Sequence, residues 1–145
     1  MKYDVLIVED EDDIRTMIGG ILEDDGYEVR LTAKSDEAIT ALRSRKPSLM
    51  ILDVWLKGSS MDGIELLDSI KKSHPNMPII IISGHGTVET AVSAIRKGAY
   101  DYIVKPFKAD KLLVTCKRAL ENARLKSENG ELKGRSFHDI ALVGS

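Results

Sequence analysis

Three uninterrupted apolar runs constrain this chain more than any other feature: Val5-Leu6-Ile7-Val8, Leu49-Met50-Ile51-Leu52, and Ile79-Ile80-Ile81-Ile82 entered from Pro78. A strand that is apolar on both faces must be covered on both faces, and that is the position of a central strand in a parallel sheet flanked by helices. Two other segments, Glu28-Val29-Arg30-Leu31-Thr32 and Asp101-Tyr102-Ile103-Val104, mix polar with apolar residues and read as edge strands. Stretches with the helical period lie between and after the strands, at about 12–24, 36–44, 63–73, 88–97 and from Ala109 onward. Gly26, Pro47, Pro75 and Gly98 punctuate them. Five such alternations predict an α/β chain of the flavodoxin-like, doubly wound kind, a (βα)5 sandwich, for which right-handed crossovers favour the strand order 2-1-3-4-5.

In that order the chain reverses direction beside the first strand, and ligands bind outside the carboxyl ends of the first and third strands. Glu9, Asp10 and Asp53 all fall there. A nucleotide-binding turn would offer glycines and backbone N–H groups, but this one reads Glu9-Asp10-Glu11-Asp12-Asp13. It repels an anion and attracts a hard cation, so Mg2+ is the implied cofactor. Asp12 and Asp13 fit an ordinary role at a helix start, where negative charge complements the dipole. Three converging carboxylates also call for a positive partner, since each raises the pKa of the others. Lys105, in Val104-Lys105-Pro106-Phe107, can supply it if the proline holds a sharp turn, cis or trans, that aims the lysine inward. The alternative is a solvated lysine on a strand-ending turn. Ser83 is either a hydroxyl aimed at the same crevice or the first residue of a turn into Gly84-His85-Gly86.

Composition narrows the function classes. The 145 residues are 43% hydrophobic, enough for one domain with a real core. A net charge of −2 with no basic stripe argues against nucleic-acid binding by this chain. One cysteine, Cys116, forms neither an internal disulfide nor a thiolate metal site, which fits a reducing, cytoplasmic setting. Neither a signal peptide nor a membrane-spanning run is expected from the apolar pattern. His74 and His138 lack metal-ligand spacing with each other or with Cys116.

Taken together, Glu9-Asp10, Asp53, Ser83, Tyr102 and Lys105-Pro106 resemble the ordered motifs of the receiver domain of two-component response regulators, over residues 3–121. The resemblance implies that Asp53 is the phosphoacceptor and that Asp10 and Asp53 ligate Mg2+ with the Trp55 carbonyl, Glu9 acting mainly through water. It further implies that Ser83 and Lys105 bind the phosphoryl group, that Tyr102 is the switch aromatic and that Pro106 is cis. The partner would be a sensor histidine kinase, and the chain would catalyse only its own phosphorylation and dephosphorylation. The face from about Val88 to Phe107 would form a homodimer or meet an output domain.

The loop after Asp53, Val54-Trp55-Leu56-Lys57-Gly58-Ser59-Ser60-Met61, is about two residues longer than in many receivers. By the same resemblance Trp55 and His85 flank the path of the hydrolytic water, so slow self-dephosphorylation is expected. Residues 122–145 change character and read as a linker helix and tail. Leu113, Cys116, Leu120 and Ala123 keep heptad spacing, but Ser127 and Gly130 break it. The closing Ala141-Leu142-Val143-Gly144-Ser145 resembles the entry to the ATPase domain of regulators that activate sigma-54 polymerase, with a DNA-binding output domain beyond. Together with Ser83-Gly84-His85-Gly86-Thr87 and Asp53-Val54-Trp55-Leu56, this closing string is similar to those of nitrogen-regulation regulators of the NtrC and NtrX kind, NtrX more closely. Two rival classes are an aspartyl-nucleophile phosphohydrolase, which usually wants a second carboxylate where Trp55 stands, and a degenerate receiver, which would lack the acidic pair or the lysine.

Overall fold

The computed structural model describes residues 3–56, 62–84 and 88–144, with side chains described as far as Lys126. The order is β1 (Asp4–Val8), α1 (Asp12–Asp24), β2 (Glu28–Thr32), α2 (Ser35–Ser44), β3 (Leu49–Asp53), α3 (Gly63–Ser73), β4 (Ile79–Ser83), α4 (Val88–Arg96), β5 (Asp101–Val104) and α5 (Ala109–Gly144). All five strands are parallel, in the order β2-β1-β3-β4-β5. That is the order expected from the crossover rule.

The apolar runs divide by alternation into two cores. Leu6, Val8, Met50, Leu52, Ile79 and Ile81 face α2, α3 and α4, where they meet Ala38, Leu42, Leu66, Leu67, Ile70 and Ala94. Val5, Ile7, Leu49, Ile51, Ile80 and Ile82 face α1 and α5, where they meet Ile18, Leu22, Leu112, Cys116 and Ala119. Each such side chain contributes about 1.5–3 kcal/mol on full burial, so these two layers dominate the stability. With both faces apolar, alternation alone cannot fix the register of β3. Its polar end does, because drawing Asp53 one residue inward would desolvate a carboxylate at an effective penalty of several kcal/mol.

Differences from the sequence expectation are small. β4 starts at Ile79 and closes on Ser83, since Pro78 has no N–H to give the ladder and contributes only its carbonyl, to the Met50 N–H at 3.1 Å. The helix after β5 runs on to Gly144. Of its heptad-spaced residues, Cys116 and Leu120 are buried in the domain's own core. Among the described residues no helix is long and apolar enough to cross a membrane.

Candidate functional site

The carboxyl ends of β1, β3 and β5 deliver Glu9, Asp53 and Lys105 to one point. Asp53 continues the alternation of Leu49 and Ile51, and Glu9 that of Val5 and Ile7, so both sit on the α1/α5 side of the sheet. The Glu9 N–H extends the β1–β2 ladder by donating to the Thr32 carbonyl at 3.0 Å. From the first turn of α1, Arg15 Nη1 donates to the Glu9 carbonyl at 2.8 Å, while its other nitrogen pairs with Asp12. The acidic turn is thereby clamped to the helix it precedes.

Lys105 Nζ lies 2.6 Å from Glu9 Oε1, 3.2 Å from Asp53 Oδ2 and 3.9 Å from Glu11 Oε1. The Lys105-Pro106 peptide bond is cis. Glu9 Oε2 accepts the Glu11 N–H at 3.2 Å, and Asp53 Oδ1 accepts the Trp55 N–H at 3.4 Å. Glu9 and Asp53 are buried and Asp10 is half-buried; together with exposed Glu11 they offer carboxylate oxygens all within 4.8 Å of one another.

This electrostatic arrangement is unbalanced. Burial, together with a hydrogen bond and charge from Asp53, pushes the Glu9 carboxyl up to about 8, against the opposing pull of Lys105 and the Glu11 N–H. Burial works to lower the Lys105 ammonium, but its hydrogen bond to Glu9 and the charge of Asp53 outweigh it, and its pKa is raised. Lysine stays charged, and one carboxyl tends to keep a proton because Glu9, Asp53 and Glu11 share the Lys105 ammonium. A hard divalent cation is the alternative to that proton. The donor set, oxygen only and partly open to water, fits Mg2+.

Ser83 is buried at the end of β4, one residue past the Asp53–Ile82 register pair, and continues the alternation of Ile79 and Ile81 toward the α2–α4 side. Tyr102, opposite Ile81, packs on that side too, and its hydroxyl is buried with no hydrogen-bond partner among the described residues. Trp55 places its ring half in solvent, at 52% exposure. His85 and the loop residues 57–61 lie outside the described residues.

Three contributors were not singled out by sequence. One is Arg15. Another is Glu11, whose approach to Lys105 joins strand ends 94 residues apart. The third is Gly63, whose N–H donates to the Val54 carbonyl at 2.7 Å; a Cβ there would stand 2.0 Å from the Asp53 carbonyl oxygen. The Asp62-Gly63 pair signals a turn and helix start, and Asp62 forms a capping box with Glu65. Nothing in the string announces the close backbone approach.

The response regulator receiver domain family matches residues 5–117. The nitrogen assimilation regulatory protein NtrX of Azorhizobium caulinodans is 54% identical over 133 residues, covering 92% of this chain and 29% of that protein. A crystal structure of NtrX from Brucella abortus superposes with a TM-score of 0.88 at 54% identity, covering 92% of this chain and 30% of that one. The solution structure of a beryllofluoride-activated NtrC4 receiver domain dimer gives a TM-score of 0.78 at 38% identity, covering 83% and 98%. The chain thus spans about 30% of the length of the curated relatives it matches.

Proposed function

The chain belongs to the response regulator receiver domain family, and on that premise we propose that Asp53 accepts a phosphoryl group from a sensor histidine kinase. The observation that carries the reading is the buried Asp53 carboxylate bridged by Lys105 to Glu9 inside a four-carboxylate cage. An Asp53 oxygen attacks phosphorus as the P–N bond of a phosphohistidine breaks, and that bond's electron pair stays on the imidazole. A proton on the other ring nitrogen lets the imidazole leave neutral. Lys105 already holds Asp53 Oδ2, so its charge is in place for the transferred group, and the Ser83 hydroxyl donates to a phosphoryl oxygen. Mg2+, held by Asp10, Asp53 and the Trp55 carbonyl with Glu9 acting through water, would supply further neutralisation of the phosphoryl oxygens. The chain catalyses only its own phosphorylation and dephosphorylation.

The added charge favours a state in which the segment after Ser83 closes on the site, shifting an existing equilibrium. Tyr102 suits the role of reporter, because a buried hydroxyl with no partner among the described residues gains from any rearrangement that brings it an acceptor. The face it serves carries exposed Val88, Val92, Ile95 and Val104, an apolar set that suits a homodimer or an output domain. Residues 122–145 would lead from the receiver, residues 3–121, toward an ATPase domain and a DNA-binding domain in a cytoplasmic, sigma-54-dependent transcription regulator for nitrogen assimilation. A phosphorylated form that stays monomeric in light scattering at high concentration would argue against the dimer.

Incubation with Mg2+ and acetyl phosphate should give an acid-stable, base-labile adduct on Asp53. No adduct, or an undiminished adduct in Asp53→Ala, refutes the phosphoacceptor reading. Multiple turnover without a persistent adduct favours a phosphohydrolase.

A further inference from the structure

Glu11 stands at the N-cap of α1, where a short polar side chain would ordinarily accept a backbone N–H of the first turn. Its side chain makes no cap hydrogen bond. Instead Oε1 lies 3.9 Å from Lys105 Nζ, with the Glu11 side chain 61% exposed and the lysine 12%. Glu9 and Asp53 hold the buried side of that lysine and Glu11 holds its solvent side. An anion that approaches Asp53 from the exposed side of Lys105 therefore meets a further carboxylate, which competes with it for that ammonium.

We infer that Glu11 is a specificity-determining residue: its carboxylate screens the phosphoacceptor against small, free, multiply charged phosphodonors. The inference rests on the phosphoacceptor reading of Asp53. A histidine kinase delivers its phosphoryl group on a docked imidazole, with binding contacts to offset local repulsion; a free acyl phosphate has none. Two negative charges at a separation of about 7 Å from a carboxylate, in a water-like dielectric, slow encounter by about five- to tenfold at low ionic strength. At about 0.15 M salt the effect shrinks to about two- to threefold, because the Debye length falls to about 8 Å. A singly charged donor feels about the square root of each factor.

The test uses the full chain, with Mg2+ brought to saturation separately for each variant by titrating the fluorescence of Trp55, the only tryptophan. Second-order phosphorylation rates are measured with acetyl phosphate and with phosphoramidate between about 20 mM and 1 M salt. Glu11→Gln should react about five- to tenfold faster than wild type with acetyl phosphate at low salt and less so with phosphoramidate, the advantage vanishing at high salt. Glu11→Asp, which keeps the charge, should track wild type. No acceleration in Glu11→Gln, or an acceleration equal for both donors and indifferent to salt, overturns the inference. Wild type that forms no adduct with either donor refutes the phosphoacceptor reading instead.

Discussion

Replacing Gly63 by alanine puts a methyl group where the backbone of the phosphoacceptor already is. The added Cβ would lie 2.0 Å from the Asp53 carbonyl oxygen, 2.8 Å from its carbonyl carbon and 2.7 Å from Val54 Cα. These are main-chain atoms, so no side chain can swing away, and the start of α3 must retreat by about an ångström or more. Overpacking of this kind costs about 1–3 kcal/mol. The retreat also stretches the 2.7 Å bond from the Gly63 N–H to the Val54 carbonyl, worth about 1 kcal/mol more. A combined loss of about 2–4 kcal/mol should lower the melting temperature by roughly 8–16 °C, at about 4 °C per kcal/mol for a domain of this size. Because the displaced atoms carry Asp53, the rate of adduct formation should fall by about 10²-fold even well below the melting point. Gly20 is the internal control: it lies inside α1 with nothing within 4 Å of an added Cβ, so Gly20→Ala should stabilise by about 0.5–1 kcal/mol. Urea unfolding and intact-mass kinetics on the three proteins decide the matter. A Gly63→Ala protein within about 0.5 kcal/mol of wild type, with an unchanged adduct rate, refutes the steric reasoning.

Other consequences are equally open to measurement. The Glu9 carboxyl, raised in the folded state to about 8 from an unfolded value near 4.5, makes the folded, metal-free protein the better proton binder between those values. Its contribution to stability is therefore complete below about 4.5 and is lost as pH rises through about 8. Mg2+ must displace that proton, so its affinity should grow by up to about tenfold per pH unit up to about 8 and then level off. A dissociation constant from Trp55 fluorescence that does not change across this range contradicts the assignment. At the other end of β1, buried Asp4 receives Arg30 Nε and Nη2 at 3.1 and 2.7 Å, and Arg45 Nε at 3.1 Å. Asp4→Ala strands a partly buried guanidinium and should cost about 2–4 kcal/mol in urea unfolding while leaving adduct formation by the folded fraction intact. Loss of the adduct in folded Asp4→Ala would show that the two ends of the sheet are not independent. Trp55→Ala should shorten the phosphoryl lifetime if the indole hinders the hydrolytic water, and a lifetime equal to or longer than wild type's removes that role.

The strands were legible because burial on both faces leaves a signature of consecutive Ile, Leu, Val and Met that few other environments permit, and β1, β2 and β5 begin or end within a residue of the apolar pattern. Glu9, Asp10, Asp53 and Lys105 were legible as a group because a parallel sheet collects the residues after its strands along one edge. What stayed hidden depends on distances between backbones. Gly63 reads as any glycine at a helix start until α3 is laid against Val54. Glu11 reads as one more acid in an acidic turn until β5 brings Lys105 within 3.9 Å. The bidentate bond of Arg30 to Asp4 spans 26 residues, and no local period marks either partner.

The Lys105–Glu9 contact, which bridges 96 positions of the chain, carries a consequence for synthesis. As the polypeptide leaves the ribosome, Glu9, Asp10 and Asp53 are all made before Lys105 exists to sit between Glu9 and Asp53. Until β5 docks, every nascent intermediate that gathers β1 and β3 also gathers uncompensated carboxylates, and must hold protons or borrow a metal ion from solution. A fragment ending before Lys105 should for that reason fold with a steeper dependence on pH and on divalent cations than the finished domain.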